Sequence, residues 1–226
     1  MVGDVPRWGV VSSIASPVLL IAGWTVAARL QPPSFSQVAD TVSALAAPGA
    51  TDRWVMTLVF VVVGACDVVT GAALRPAAAA GRAILIAGAV AGMLVAANPE
   101  HAGSGSVAHA VWAALGFAGL AAWPLAAWRR GRSVPWGLRP RVCLSAVTVQ
   151  LVLLVWFIAE LVSGGGLIGL AERFVGAAGA VWPLAVVLTC RGSTRLPRWS
   201  LDLPAPKVGL PSSRLQRGHS VNATRK

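Results

Sequence analysis

The fold of this chain is decided by apolar stretches such as LRPRVCLSAVTVQLVLLVWFIAELV, residues Leu138–Val162. About 20 such residues in an α-helix cover the roughly 30 Å hydrocarbon core of a bilayer. Because only helices and closed barrels satisfy every backbone N–H and C=O group in lipid, this length predicts a membrane-spanning helix. Further stretches of the same kind are Gly9–Arg29, Trp54–Leu74, Arg82–Asn98, Ser106–Trp128 and Leu167–Cys190. We therefore predict an all-α integral membrane protein with a six-transmembrane-helix bundle.

The composition of the chain also indicates a membrane environment. Of its 226 residues, 56% are apolar and 12% are charged, whereas about 25% of the residues of a soluble protein are charged. The spans leave no room for a second folded domain, so we predict one membrane domain over residues 1–190. Residues 191–226 are rich in proline and arginine and are predicted to form a disordered basic tail.

Basic residues are unevenly divided between the two sides that six spans define. Sixteen of the 19 lysines and arginines lie before the first span, in the second and fourth connections, or in the tail. The alternate connections carry Arg29, Arg53 and Arg173. By the positive-inside rule, both termini are predicted to be cytoplasmic. The excess of arginine over lysine, 17 to 2, suggests a bacterial genome, and we expect a multi-pass protein of the bacterial plasma membrane.

Membrane lipids surround the spans, and two features suggest more specific partners. The basic tail either attracts anionic lipids of the inner leaflet, at about 1 kcal/mol per residue near the surface, or is a solvated topogenic signal. Nucleic-acid binding is not predicted, because no folded reader module accompanies the charge. The small-residue spacings Gly88–Gly92 and Gly165–Gly169 permit close helix contact within the bundle or in a homo-oligomer.

The first outer loop is the longest connection and is predicted to contain an amphipathic interfacial helix. Ser34 and Gln37 have the spacing of a capping box, and apolar residues at helical spacing follow for about three turns. Asp40 and Ser43 then share one side of this helix. They either form the roof of an extracytoplasmic pocket or simply face water.

A histidine marks the beginning of the fourth span. His109 lies on its first outer turn, with Ser106 on the same face. Such a residue can bind a metal, act as a general base, or form a structural hydrogen bond. The other candidate metal ligands, His101, Asp40 and Glu172, lie far apart and lack the spacing of a zinc site. We therefore predict no metal site and no cofactor.

Further ionisable residues lie within the spans, where they are costly and often functional. Glu160 and Arg173 lie at nearly the same depth of a helical hairpin. They either form an ion pair, or Arg173 binds a phosphate or carboxylate headgroup. Asp67 lies about 20 Å along the second span. It is either a single buried carboxyl group or part of a proton or cation path.

Three sequence runs together resemble a known bacterial family. They are VADTVSALAAPGATDRWVM from residue 38, PEHAGSGSVAHAVWA from residue 99, and GLAERFVGAAGAVWPL from residue 169. They resemble the membrane family catalogued as domain of unknown function 998, over about residues 10–190. The resemblance implies a six-helix integral membrane protein without an established activity. Its recurring polar positions correspond here to Asp40, Ser43, His109, Glu172 and Arg173.

These observations lead to three functional hypotheses. In the first, Asp40, Ser43, His109, Glu172 and Arg173 bind a lipid headgroup or a small amphiphile in a polar pocket at the extracytoplasmic face. In the second, the protein is a membrane-embedded hydrolase with His109 as base and Ser43 or a metal-bound water as nucleophile, and Asp40 beside them. In the third, Asp67 serves a small proton- or cation-coupled transporter.

Overall fold

The computed structural model describes residues 4–100 and 106–195, which form six long helices joined by short connections. The helices are α1 Arg7–Arg29, α2 Trp54–Ala73, α3 Ala79–Ala97, α4 Val107–Ala127, α5 Pro140–Ser163 and α6 Ile168–Arg195. All six are long and apolar enough to cross a membrane, and no strand occurs in the ranges given above. The predicted six-span, all-α membrane fold is confirmed.

The last span was predicted to end at Cys190, within one residue of the candidate span Ile168–Arg191. Helix α6 itself continues to Arg195, so residues 191–195, the beginning of the predicted disordered tail, are helical. The remainder of the predicted disordered tail, residues 196–226, lies outside the described residues, as does His101.

Successive helices pack as antiparallel neighbours from α1 to α4, and α6 completes the bundle by packing against α1. Helix α5 lies at the periphery, in contact with α4 and α6. Its outward face exposes large apolar side chains, among them Val152, Val155 and Val162. Because these side chains face away from the bundle, lipid rather than water is the solvent that suits them.

The bundle has two chemically different ends. The end that carries residues 30–53 is called the first-loop end, and the opposite end, where the described chain begins and finishes, is called the termini end. Basic residues in the α2–α3 and α4–α5 connections, or on the first turns of α3 and α5, lie at the termini end: Arg75, Arg82, Arg129, Arg130, Arg132, Arg139 and Arg141. The uneven distribution of basic residues along the sequence therefore makes the termini end of the bundle basic.

Close approach of α3 and α4 depends on glycine. A Cβ atom added at Gly119 would lie 2.7 Å from the Cα atom of Gly88, and one added at Gly81 would overlap the backbone of Ala127. Side chains at these positions would force the two backbones apart. The predicted small-residue contact at Gly88 thus lies inside the bundle, between consecutive helices.

The first outer loop contains much less helix than the predicted interfacial helix of about three turns. The structure has turns up to Val42 and one 3-10 turn, Ser43–Ala46. Two polar side chains bond to the backbone of this segment, and Ser36 does so in the manner of a helix N-cap. Ser36 Oγ accepts from the N–H groups of Val38 and Ala39, both at 3.3 Å, and Asp40 Oδ2 accepts from Ser36 N–H at 2.7 Å. Ser36, rather than the predicted Ser34–Gln37 capping box, organises this segment.

Candidate functional site

The first loop is attached to α6 through a buried carboxylate. Glu172, on the first turns of α6, is 7% exposed. Its Oε1 accepts a hydrogen bond from Ser43 Oγ at 3.0 Å, and its Oε2 accepts from the N–H group of Val42. Hydrogen bonds to a carboxylate are among the stronger ones in proteins. Ser43 and Glu172, which lie 129 positions apart in sequence, are therefore direct partners.

Two more hydrogen bonds bring the same loop onto α6. Arg173 Nη1 donates to the Asp40 carbonyl at 2.9 Å, and Leu170 N–H donates to the Val38 carbonyl at 3.0 Å. Arg173 Nη1 also donates to the carbonyl of Gly169 in its own helix, at 2.9 Å. Gly169 has no space for a side chain, because a Cβ atom there would overlap the Asp40 carbonyl. The loop thus packs directly on the backbone of α6.

Beneath this loop lies a cavity of about 130 Å³, here called the bundle cavity. Each of five helices contributes to its wall: Trp24 from α1, Phe60 from α2, Gly92 from α3, Phe117 from α4 and Gly176 from α6. Val42, Ser43 and Glu172 line it at the first-loop end. The wall is mainly apolar, with polar groups concentrated at a few points, which is typical of a small-molecule site.

A second carboxyl group lines the same cavity. Asp67, on α2, is 5% exposed, and its Oδ1 atom is buried without a hydrogen-bond partner among the described residues. The sequence indicated its depth in the span but gave no reason to connect it with Glu172. The structure places both acids on the wall of one cavity.

The structure separates the remaining predicted site residues from the cavity wall. The Asp40 carboxylate turns back to Ser36, and His109 Nδ1 lies 2.9 Å from the Asn98 carbonyl oxygen. A carbonyl oxygen only accepts, so this nitrogen donates. His109 joins the beginning of α4 to the end of α3, and it is not a hydrogen-bond partner of Ser43. Within the described ranges, no three His, Cys, Asp or Glu side chains converge as metal ligands would.

The ion pair between Glu160 and Arg173, one of the two alternatives for these residues, does not form. Glu160 accepts hydrogen bonds from Leu167 N–H at 3.0 Å and from the Trp156 indole at 3.3 Å. Arg173 is 8% exposed and turns to the first loop instead, while its Nε and Nη2 atoms have no partner in the described chain. Equal depth did not imply contact, because the two side chains leave their helices in different directions.

Sequence reasoning missed most of the cavity wall. Its small residues, including Gly64, Gly92, Gly116 and Gly176, carry no chemistry that marks them as a site. The available signal was the density of glycine in apolar helices, where glycine is otherwise unfavourable. That signal also fits plain helix contact, as at Gly81, so it does not identify a cavity by itself.

The position of His109 leads to a first prediction. His109→Ala is expected to lower the free energy of unfolding by about 1 kcal/mol, the usual value of one hydrogen bond. Thermal melting of the purified variant in detergent measures this loss. A loss several times larger would show that His109 has a role beyond its contact with Asn98.

The fold and the cavity define a class: a polytopic α-helical membrane protein with a small, mostly apolar cavity inside its bundle. Within that class, the chain belongs to the family described as "Protein of unknown function (DUF998)", whose model matches residues 13–189. The match includes parts of all six helices, as the sequence resemblance implied. No curated protein and no solved structure matches the chain.

Proposed function

We propose that this protein binds a small amphiphilic molecule in the bundle cavity, with the polar part of the ligand at Ser43 and Glu172. The cavity carries this proposal, because it combines apolar walls with a fixed polar group at one end. A carboxylate has about four lone-pair positions. Glu172 therefore retains acceptor capacity after bonding to Val42 and Ser43.

The size of the bundle cavity limits the ligand. An engineered cavity of about 150 Å³ in another protein binds benzene. A volume of about 130 Å³ therefore suits a single ring or a short alkyl chain with a polar substituent. An intact phospholipid is much larger, although one of its chains can enter such a space.

The two other hypotheses have different support. A hydrolase needs a nucleophile and a base in contact, but Ser43 and His109 bond to Glu172 and Asn98 respectively. Transport gains one supporting observation, since Asp67 lines a cavity that also reaches Glu172 near the first-loop end. Transport through this cavity would begin with binding to it, so ligand binding is the function to test first.

The proposal also includes the orientation of the protein in the membrane and the membrane in which it lies. If the basic termini end faces the cytoplasm, as the positive-inside rule favours, the first-loop end and Glu172 face the outside of a plasma membrane. The ligand then comes from the extracytoplasmic side or from the outer leaflet. Contact of the basic tail with anionic inner-leaflet lipids is part of this arrangement. Labelling of a cysteine placed in residues 30–53, in intact cells, tests the orientation.

Filling the bundle cavity tests the binding proposal. Gly92 lines the cavity, and a Cβ atom added there meets nothing within 4 Å, so the side chain of Gly92→Leu is expected to extend into cavity space. We expect binding of the neutral probe 4-fluorobenzyl alcohol to weaken by about tenfold or more, since ligand and leucine compete for one volume. A ¹⁹F NMR titration of the purified protein in detergent measures this binding.

The matched control is Ala87→Leu on the same helix. Ala87 is exposed on the outward face of α3, so this leucine adds the same apolar bulk to the lipid-facing surface. Probe binding by Ala87→Leu is expected to equal that of the unmodified protein. Equal binding by both leucine variants, after subtraction of binding to empty micelles, would contradict the proposed site.

A further inference from the structure

We propose that the ligand of the bundle cavity is a cation, a small amine with an apolar body, and that Asp67 is the group that binds its ammonium. The inference rests on the proposed function, because it concerns the same cavity. It goes beyond that function by naming the chemical class of the ligand. It adds a charged contact at Asp67, farther along α2, to the polar contacts that Ser43 and Glu172 offer at the first-loop end of the same cavity.

The charges on the cavity wall favour a cation. Of the described residues that line the cavity, Asp67 and Glu172 are the ones with ionisable side chains, and both are acids. Glu172 has Arg173 beside it in sequence, and its two oxygen atoms already accept from Val42 and Ser43. Asp67 has no basic neighbour on the wall. An anionic ligand would meet repulsion here, and a cation would meet attraction.

Asp67 has an acceptor atom that the fold leaves unused. Its Oδ1 atom is buried and without a partner among the described residues, and 95% of the residue is shielded. Buried polar atoms are nearly always paired, and an exception needs an explanation. A ligand donor in the adjoining cavity would supply the missing partner.

The hydroxyl groups beside Asp67 fill this role only in part. On the next turn of α2, Thr70 Oγ1 donates to the Cys66 carbonyl and pairs with Ser12 Oγ of α1 at 3.0 Å. Ser16, one turn farther along α1, faces the Asp67 carboxyl group, but neither its hydroxyl nor Asp67 Oδ1 has a partner at full hydrogen-bond geometry. The polar contact between α1 and α2 is thus complete at Ser12 and Thr70 and incomplete beside the cavity.

An ammonium group satisfies this site better than a hydroxyl group. A carboxylate in apolar surroundings is stable when an opposite charge is in contact with it, and costly when it is alone. An ammonium supplies that charge together with up to three hydrogen-bond donors. The apolar body of the ligand then lies against Trp24, Phe60 and Phe117, which line the same space. Aromatic faces are themselves favourable neighbours for a cation.

The experiment compares three probes of one shape and different charge. These are 4-fluorobenzylamine, which is cationic at neutral pH, the neutral 4-fluorobenzyl alcohol, and the anionic 4-fluorobenzoate. Each is titrated into the full-length protein in detergent and observed by ¹⁹F NMR, with empty micelles as blank. We expect the amine to bind about tenfold more tightly than the alcohol and the benzoate to bind least, as charge complementarity requires.

The variant Asp67→Asn tests whether Asp67 causes the preference for the amine probe over the alcohol. It keeps the shape of the side chain and removes its charge, so the amine is expected to lose its advantage over the alcohol, while Asp67→Glu keeps it. An amine preference that survives in Asp67→Asn would overturn the assignment to Asp67. Comparison of the probes on the unmodified protein needs no variant, so the inference is tested even if Asp67→Asn does not fold.

The outcomes separate this inference from the function on which it rests. If amine and alcohol bind equally and both are displaced by Gly92→Leu, the cavity is a binding site and the cation inference is overturned. If none of the three probes binds in a manner that depends on Gly92, the proposed function itself is overturned.

Discussion

Glu172→Ala is expected to lower the free energy of unfolding by about 3 kcal/mol, since it leaves two buried donors without an acceptor. These donors are the N–H group of Val42 and the hydroxyl group of Ser43. Each unsatisfied buried group costs about 1–3 kcal/mol. The first loop should also separate from α6, and hydrogen exchange over residues 42–46 should accelerate. Thermal or denaturant unfolding in detergent, together with exchange measured by mass spectrometry, checks both effects.

Glu160→Ala is the matched control for this prediction. Glu160 also lies at the first-loop end and also accepts a backbone N–H group, that of Leu167. That contact is exposed, and the other donor to Glu160, the Trp156 indole, is only partly buried. Water therefore replaces the lost acceptor, and the expected loss is below about 1 kcal/mol. Equal losses from the two variants, with unchanged exchange over residues 42–46, would show that the carboxylate of Glu172 does not hold the loop.

Gly119→Ala is expected to destabilise the protein by about 2 kcal/mol, although alanine is the better helix former. The added methyl group would lie 2.7 Å from the Cα atom of Gly88. A backbone atom has no rotamer by which to move away, so α3 and α4 must separate along their contact. A lower melting temperature in detergent measures this effect.

The comparison variant is Gly116→Ala, one turn earlier on the same helix. Its added Cβ atom would lie 3.5 Å from the nearest atom, the backbone nitrogen of Gly92, which is an ordinary contact distance. The melting temperature should stay the same or rise, because alanine favours helix over glycine by about 1 kcal/mol. If both alanine variants melt alike, the close contact of α3 and α4 does not depend on Gly119.

The sequence predicted the helices well and the first loop poorly. Apolar length determines a span because every backbone polar group must be paired within lipid, and no distant residue is needed for that argument. The predicted loop helix is absent because backbone groups of residues 38–42 bond to α6 instead: the Val38 and Asp40 carbonyls accept from Leu170 N–H and Arg173, and Val42 N–H donates to Glu172. Partners so distant in sequence are not indicated by hydrophobic spacing.

The candidate site was predicted in part. Ser43 and Glu172, which the sequence placed at the same end of the bundle, are in contact, while their role in ligand binding stays a prediction. Sidedness and depth also suggested Glu160 with Arg173, and that pair does not form. Depth along a helix axis follows from position in the sequence, but the direction of a side chain around that axis is set by how neighbouring helices pack.

By itself, the sequence determined that six helices cross a membrane and that their basic connections lie at one end, since both properties follow from the order of apolar and charged residues along the chain. The tertiary structure alone decided that the first loop folds onto α6, that α3 and α4 touch through glycine, and that Asp67 and Glu172 line one cavity. A cavity is the space that packed side chains fail to fill, so it exists only once distant segments are brought together.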